Sequence, residues 1–389
     1  LVRNEIYSKL KGYYLLQLLS WNCIVQKLFH RTFLILVSLA AAYPQVLDST
    51  EIKENEWEVL PIITYDTDAG FGYGVKAFFL SFLEWNESFD ITLFNSTKGE
   101  RWYRFKFSLP DNEIRQGKAY DFAADFIVDY DKWINYSFFG VGNNSSFKNE
   151  ITYTREPIDL KLFLSRGFSP VIISEIGFRY NSTSNYKIPQ GSILNEDEFS
   201  AGRASLTSLL LRLRYDTRKS FNNPLSGVVF QAEIENAFQI SLSKSRFFKS
   251  RFFKLEFSFQ NYLEVLFPKA ALANRLIFRN LVGKNIPIQY LMAIGGNQTL
   301  RGYTQDRFLD KSSVLINSEF RFPIYWRIGG IVGIDAGKVW PTLSKMDFGN
   351  WAINTVIGLR LYMDNFIARA DLGYSKETIG FYFNFGHIF

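Results

Sequence analysis

The segment Arg101-Trp-Tyr-Arg-Phe-Lys-Phe-Ser-Leu109 decides the fold. Tyr103, Phe105, Phe107 and Leu109 share one face of an extended chain, while Arg104, Lys106 and Ser108 share the other. Successive side chains of a strand point to opposite faces, so the segment reads as a strand with one apolar and one ionic side. The same period of two runs from about Glu58 onward. Leu209, Leu211 and Leu213 oppose Arg212 and Arg214, and Val228, Phe230, Ala232 and Ile234 oppose Gln231, Glu233 and Glu235. Phe253, Leu255, Phe257 and Phe259 oppose Lys254, Glu256 and Gln260. Val314, Ile316, Phe320 and Phe322 oppose Asn317, Glu319 and Arg321. A last strand sets Phe381, Phe383, Phe385 and Phe389 against Tyr382, Asn384 and Gly386.

Alternation alone also fits a soluble sandwich. Composition separates the two, because 17% of the 389 residues are aromatic, and membrane barrels carry aromatic girdles. The opposite faces are charged, as a water-filled lumen requires, and no helical stretch stands ready to cover a sheet. A closed barrel leaves no strand edge, and an unpaired backbone group in lipid costs several kcal/mol. A mean hydropathy of -0.06 excludes a bundle of apolar helices, each of which needs about 20 apolar residues. So aromatic a chain is not disordered either.

The expected fold is all-β: a transmembrane antiparallel barrel of about sixteen strands, an even number as in bacterial barrels. Strands are expected to start near Glu58, Phe71, Phe89, Arg101, Tyr120, Tyr153, Val171 and Ala204. The others start near Gly227, Phe252, Leu272, Ser313, Arg327, Ile353, Phe366 and Gly380. Short connections fall at Phe168-Ser169-Pro170, around Pro268 and Pro323, and at Met363-Asp364-Asn365. Long ones fall at Asp131–Glu150, Asn181–Arg203 and Gly283–Ser312, so short and long are expected at opposite ends. The last of these, between strands 11 and 12, is expected to fold inward.

Other function classes lose their reagents. One cysteine, Cys23, and two histidines, His30 and His387, leave no disulfide framework, thiolate or histidine metal site, or Ser-His-Asp triad. No enzyme activity, metal or cofactor is expected. A net charge of +6 spread without a basic run gives no footprint for nucleic acid. Lys27, His30 and Arg31 precede the uncharged stretch Thr32–Ala42, the pattern of a secretory signal cut after Ala42; a short buried helix is the alternative. Residues 1–42 are then a leader and signal peptide, 43–57 a short periplasmic segment and 58–389 the barrel.

Within the long central loop lies Gly295-Gly296-Asn297-Gln298-Thr299-Leu300-Arg301-Gly302-Tyr303. Arg301 is permanently charged, with five donors in a fixed fork, and its glycine neighbours permit turns closed to other residues. Folded into a lumen, it would seek a carboxylate and pair with it bidentately. Asp335 and Asp371 both lie on polar strand faces downstream. On a solvated surface loop, Arg301 would have no such role.

This loop, with five strands after it, resembles the signature of the BamA/TamA-type outer-membrane assembly superfamily, or bacterial surface antigen family. Tyr215-Asp216-Thr217-Arg218 with Pro224 and Gly227, Ile334-Asp335-Ala336-Gly337-Lys338-Val339-Trp340 and the aromatic strand to Phe389 extend the resemblance over residues 58–389. It implies Asp335 as the partner of Arg301. It also implies that Phe381, Phe383, Phe385 and Phe389 form a C-terminal assembly signal, for which plain lipid-facing aromatics are the alternative. The family uses the seam between first and last strands as a lateral gate, where Gly380 and Gly386 would thin the packing. Its members carry periplasmic POTRA domains, for which Tyr43–Glu58 has no room.

Three functions compete. The first, implied by the resemblance, is insertion of outer-membrane proteins or polypeptide translocation in the bacterial outer membrane. Its partners would be outer-membrane lipid, client membrane proteins and a separate periplasmic protein. The second is a passive or selective pore with Arg212, Arg214, Arg279 and Glu319 setting selectivity. An outer-membrane lipase is the third, and no histidine faces a serine to support it.

Overall fold

The computed structural model describes residues 54–194, 201–243, 246–248, 251–363 and 366–389. The expected leader and signal peptide, with Cys23 and His30, lie outside the described residues, as does most of the segment 43–57.

Two-faced sequence becomes sixteen long strands. They are β1 (Glu56–Asp66), β2 (Gly70–Leu80), β3 (Ser88–Ser96), β4 (Glu100–Leu109), β5 (Tyr120–Phe138) and β6 (Ile151–Gly167). β7 (Ile172–Tyr186), β8 (Arg203–Asp216), β9 (Gly227–Ser243), β10 (Arg251–Glu264) and β11 (Ala271–Lys284) follow. The last five are β12 (Ser312–Tyr325), β13 (Ile328–Trp340), β14 (Ala352–Tyr362), β15 (Ile367–Tyr374) and β16 (Ile379–Phe385). Each pairs antiparallel with the next, and β16 returns to β1, so the sheet closes. Arg246–Phe248 extends β10 up the edge of β9 in unbroken register. The one α-helix among the described residues is the single turn Asn112–Arg115.

Closure sorts the two faces. Ile176, Ile357 and Leu359 are each more than half exposed on the outside, although they are apolar. Asn317, Glu319, Asp335 and Asp371 are fully buried on the inside. A surface so apolar outside and ionic inside is what lipid around a polar lumen selects.

Loop lengths follow the expected rule only in part. Connections 139–150, 187–202, 285–311 and 341–351 leave one end of the barrel, the loop end. The turns 67–69 and 97–99 leave the same end and are very short. At the opposite, turn end, 110–119 and 217–226 are longer than expected: one holds the helical turn, the other an arginine staple described below.

Phe389 also departs from expectation. Gly386 adopts φ +76° and ends the aromatic strand, so the following residues turn inward. Phe389 packs on buried Tyr262, with the guanidinium groups of Arg275 and Arg321 each 4.9 Å from its ring centre. Phe381 and Phe385 stay on the exposed face, with Phe383 half-buried between them. Phe389 therefore does not belong to the outward aromatic row.

Candidate functional site

The connection 285–311 enters the lumen and is stiffened by a small ribbon, Met292–Ile294 against Phe308–Asp310. Its tip is a knot of short bonds. Gly295 and Gly296 take φ +137° and +85°, and a Cβ at Gly295 would lie 2.3 Å from Thr304 O. Thr299 Oγ1 accepts the Gly295 N–H at 2.7 Å and donates to Gly295 O at 2.8 Å. Leu300 and Tyr303 point into an apolar cluster with Ile277, Leu315, Val339 and Ala352. The turn is thereby clamped on one side by packing, and Arg301 is driven out on the other.

Arg301 is fully buried. Its Nε and Nη2 donate to the two oxygens of Asp335 at 3.0 and 2.8 Å, a bidentate pair, and its own N–H adds a third bond at 3.2 Å. Nη1 reaches Glu319 at 2.6 Å and Asp371 at 3.1 Å. Burial acts against the guanidinium charge, but Asp335 and Glu319 outweigh it and hold Arg301 charged far above the range where it would titrate. Both downstream aspartates therefore touch Arg301, with Asp335 supplying the bidentate contact.

A second layer fixes the acceptors. Asn317 and Asn354 donate to Asp335 at 2.7 and 3.0 Å, and Arg321 donates to Glu319 at 2.8 Å. Arg360 and Arg369 hold Asp371 at 2.5 and 3.3 Å, and Arg369 also donates to Asn297 of the loop. Arg275 grips Asn317, the Gln298 carbonyl of the loop and Ile388 O. Burial, Arg321 and Arg360 push the His387 imidazole well below its usual range, so it stays neutral beside the Arg360 guanidinium. Glu319 thus serves as a ligand of the loop arginine, a role different from the selectivity that the alternative pore reading gave it.

Glycines set the depth of docking. A Cβ at Gly373 on β15 or Gly380 on β16 would come within 2.2 or 2.3 Å of Arg301 O. Gly380 therefore makes room for the loop tip, and Gly386 serves the inward turn with open space around it. At the loop end, Gln305 N–H donates to Asp68 Oδ2 at 2.9 Å, tying the loop to the β1–β2 turn. Burial and the neighbouring Asp66 push the Asp68 carboxyl up to about 7.

The Asp216 motif lies elsewhere, at the turn end. Asp216 accepts from Arg218 N–H, Nε and Nη2 at 2.9–3.1 Å and from Arg214 at 2.6 Å. Gly227, at φ +116°, passes so close that a Cβ would lie 2.9 Å from Arg218 Cα, and Pro224 is buried in the same turn. This motif staples a turn and contributes no group to the Arg301 cluster.

Among the described residues, no group of three His, Cys, Asp or Glu is placed to hold a metal ion. The cluster sets one loop guanidinium against three carboxylates of the barrel wall, an arrangement that latches the loop.

The Omp85 superfamily domain model matches residues 83–389. Among solved structures, BamA from Haemophilus ducreyi lacking POTRA domains 1-3 aligns with TM-score 0.61 at 12% identity, over 86% of this chain and 71% of that one. CdiB from Acinetobacter baumannii aligns with TM-score 0.52 at 14% identity, over 86% and 60%. CdiB from Escherichia coli aligns with TM-score 0.57 at 13% identity, over 85% and 63%. At these identities the likeness is one of fold, and this chain spans less than two thirds of either CdiB chain. No curated protein matches the sequence.

Proposed function

The chain belongs to the Omp85 superfamily, and from that membership we propose an outer-membrane barrel that inserts membrane proteins or passes polypeptide by opening its β1–β16 seam. The observation that carries this reading is the seam's pairing. β1 is registered with β2 along its whole length, Glu56–Asp66, but with β16 only at Tyr65↔Phe383 and Asp66↔Tyr382. Thr67 adds a clasp, its Oγ1 accepting the Phe381 N–H at 2.7 Å.

Net, a backbone hydrogen bond is worth about 0.5–1.5 kcal/mol, so parting so short a ladder costs a few kcal/mol. The stretch of β1 nearer the turn end, with Trp57, Val59 and Ile63 exposed, then offers a strand edge on which another chain can pair. Membrane lipid, client proteins and a separate periplasmic protein are the partners this reading calls for.

The pore reading fits less well. Arg212 is paired with Glu175 and Glu233, Arg214 with Asp216, and Arg279 with Glu256. Glu319 is consumed by Arg301 and Arg321. Charges neutralised in pairs impose little field on a passing ion.

Cysteines at the registered positions Tyr65 and Phe383, with Cys23→Ser, test the seam. In proteoliposomes, insertion of a small eight-strand barrel protein is expected to fall to background on oxidation and to recover on reduction. Full activity with the seam locked would refute the gate.

A further inference from the structure

A cavity of about 350 Å³ opens at the loop end, walled by the connections 139–150 and 341–351 and by the β15–β16 turn. Its size is at the small end of ligand pockets, roughly 300–1,000 Å³. With Phe308 of the 285–311 connection, four separate segments build it, and buried side chains tie them together. Arg307, almost wholly buried, donates to both Glu377 oxygens at 2.7 and 3.0 Å and to Ser145 Oγ and O at 2.8 and 2.7 Å. The rings of Phe139 and Phe308 lie 4.7 and 4.5 Å from the same guanidinium. Asn143 Nδ2 donates to Asn350 O, closing the first wall on the second. Lys338, buried inside the barrel, holds Asp347 and Gly349 O of the second wall. Trp351 stands edge-on to buried Trp340, ring centres 6.2 Å apart. Walls fixed in advance reduce the ordering cost of binding.

The lining specifies the ligand class. Asn143, Asn144 and Asn350 each offer an amide donor and an acceptor, Ser145 a hydroxyl and Trp351 an aromatic surface. Little apolar lining remains apart from Trp351, Phe308 and Ala352, so a lipid chain finds no sheath. The Glu377 charge is already balanced by Arg307, which removes the draw for a metal cation. Lys376 is the one cation in the lining, too few for a polyanion. A compact neutral molecule bearing many hydroxyls answers each of these features, since every hydroxyl both donates and accepts.

We propose that this cavity binds carbohydrate, with hydroxyls on Asn143, Asn144 and Glu377 and the C–H face of the sugar against Trp351. Sugar binding here does not require the β1–β16 seam to open.

The test uses the full chain purified in an amine-oxide detergent, whose headgroup carries no sugar. Saturation-transfer NMR is run with glucose, galactose, N-acetylglucosamine, maltose and lactose, alongside glucose 6-phosphate and a neutral tripeptide. At least one neutral sugar is expected to bind and to quench tryptophan emission. Trp351→Ala and Asn144→Ala should each weaken that binding at least fivefold while the heat-modifiable band is retained. The proposal is overturned if no neutral sugar binds, if only the phosphate or peptide binds, or if both variants bind as tightly as the parent.

Discussion

Arg301→Ala is expected to destabilise the barrel by about 3–5 kcal/mol, the usual cost of removing one member of a buried charge network. The damage falls unevenly on its three acceptors. Glu319 keeps Arg321, and Asp371 keeps Arg360 and Arg369. Asp335 loses its only ion-pair partner among the described residues and is left with two amide donors, Asn317 and Asn354. Stranded charge, more than lost attraction, therefore sets the size of the effect. Adding Asp335→Asn should recover part of the loss, so the double variant should be more stable than the sum of the two single changes. Urea titration of the heat-modifiable band measures all three. An unchanged midpoint for Arg301→Ala would mean that the cluster holds nothing in place.

Gly373→Val is the second change with a large expected effect. The added Cβ would stand 2.2 Å from Arg301 O, which is a backbone atom of the docked tip. Overpacking of a tight interior costs about 1–3 kcal/mol where neighbours can give, and here the loop must leave or β15 must bend. Undocking exposes Arg301 and Arg307, so trypsin should cut within 285–311 in the variant and spare the parent. Gly202→Ala is the control: its Cβ would meet nothing within 4 Å. Equal trypsin resistance in Gly373→Val would show that the glycine slot does not set docking.

Strands were legible because each must satisfy a greasy outside and an ionic inside. That demand writes a period of two into every strand, and the starts read from it lie within two residues of those observed, as at Glu58 against Glu56 and Val171 against Ile172. Register across neighbouring strands leaves no such mark. The sequence could mark Asp335 and Asp371 as inward acids near Arg301, but it could not say that Glu319, on the same face of β12 as Asn317 and Arg321, would lie 2.6 Å from the guanidinium. Arg275, Arg360 and Arg369 passed unnoticed for the same reason, since an inward arginine reads alike whether it faces water or a carboxylate. Phe389 misled because periodicity carries through Gly386 on paper, whereas the positive φ there ends the strand. Loop lengths at 67–69 and 217–226 depended on local bonding that spacing does not encode.

Single-channel recording of the purified chain in planar bilayers puts a docked loop and an unpierced lumen to their most direct trial. The parent should show no steady conductance, only brief openings, and Gly373→Val should hold a long-lived open level. A large, steady conductance in the parent would contradict a lumen closed by the Arg301 loop and would return the barrel to the class of open pores.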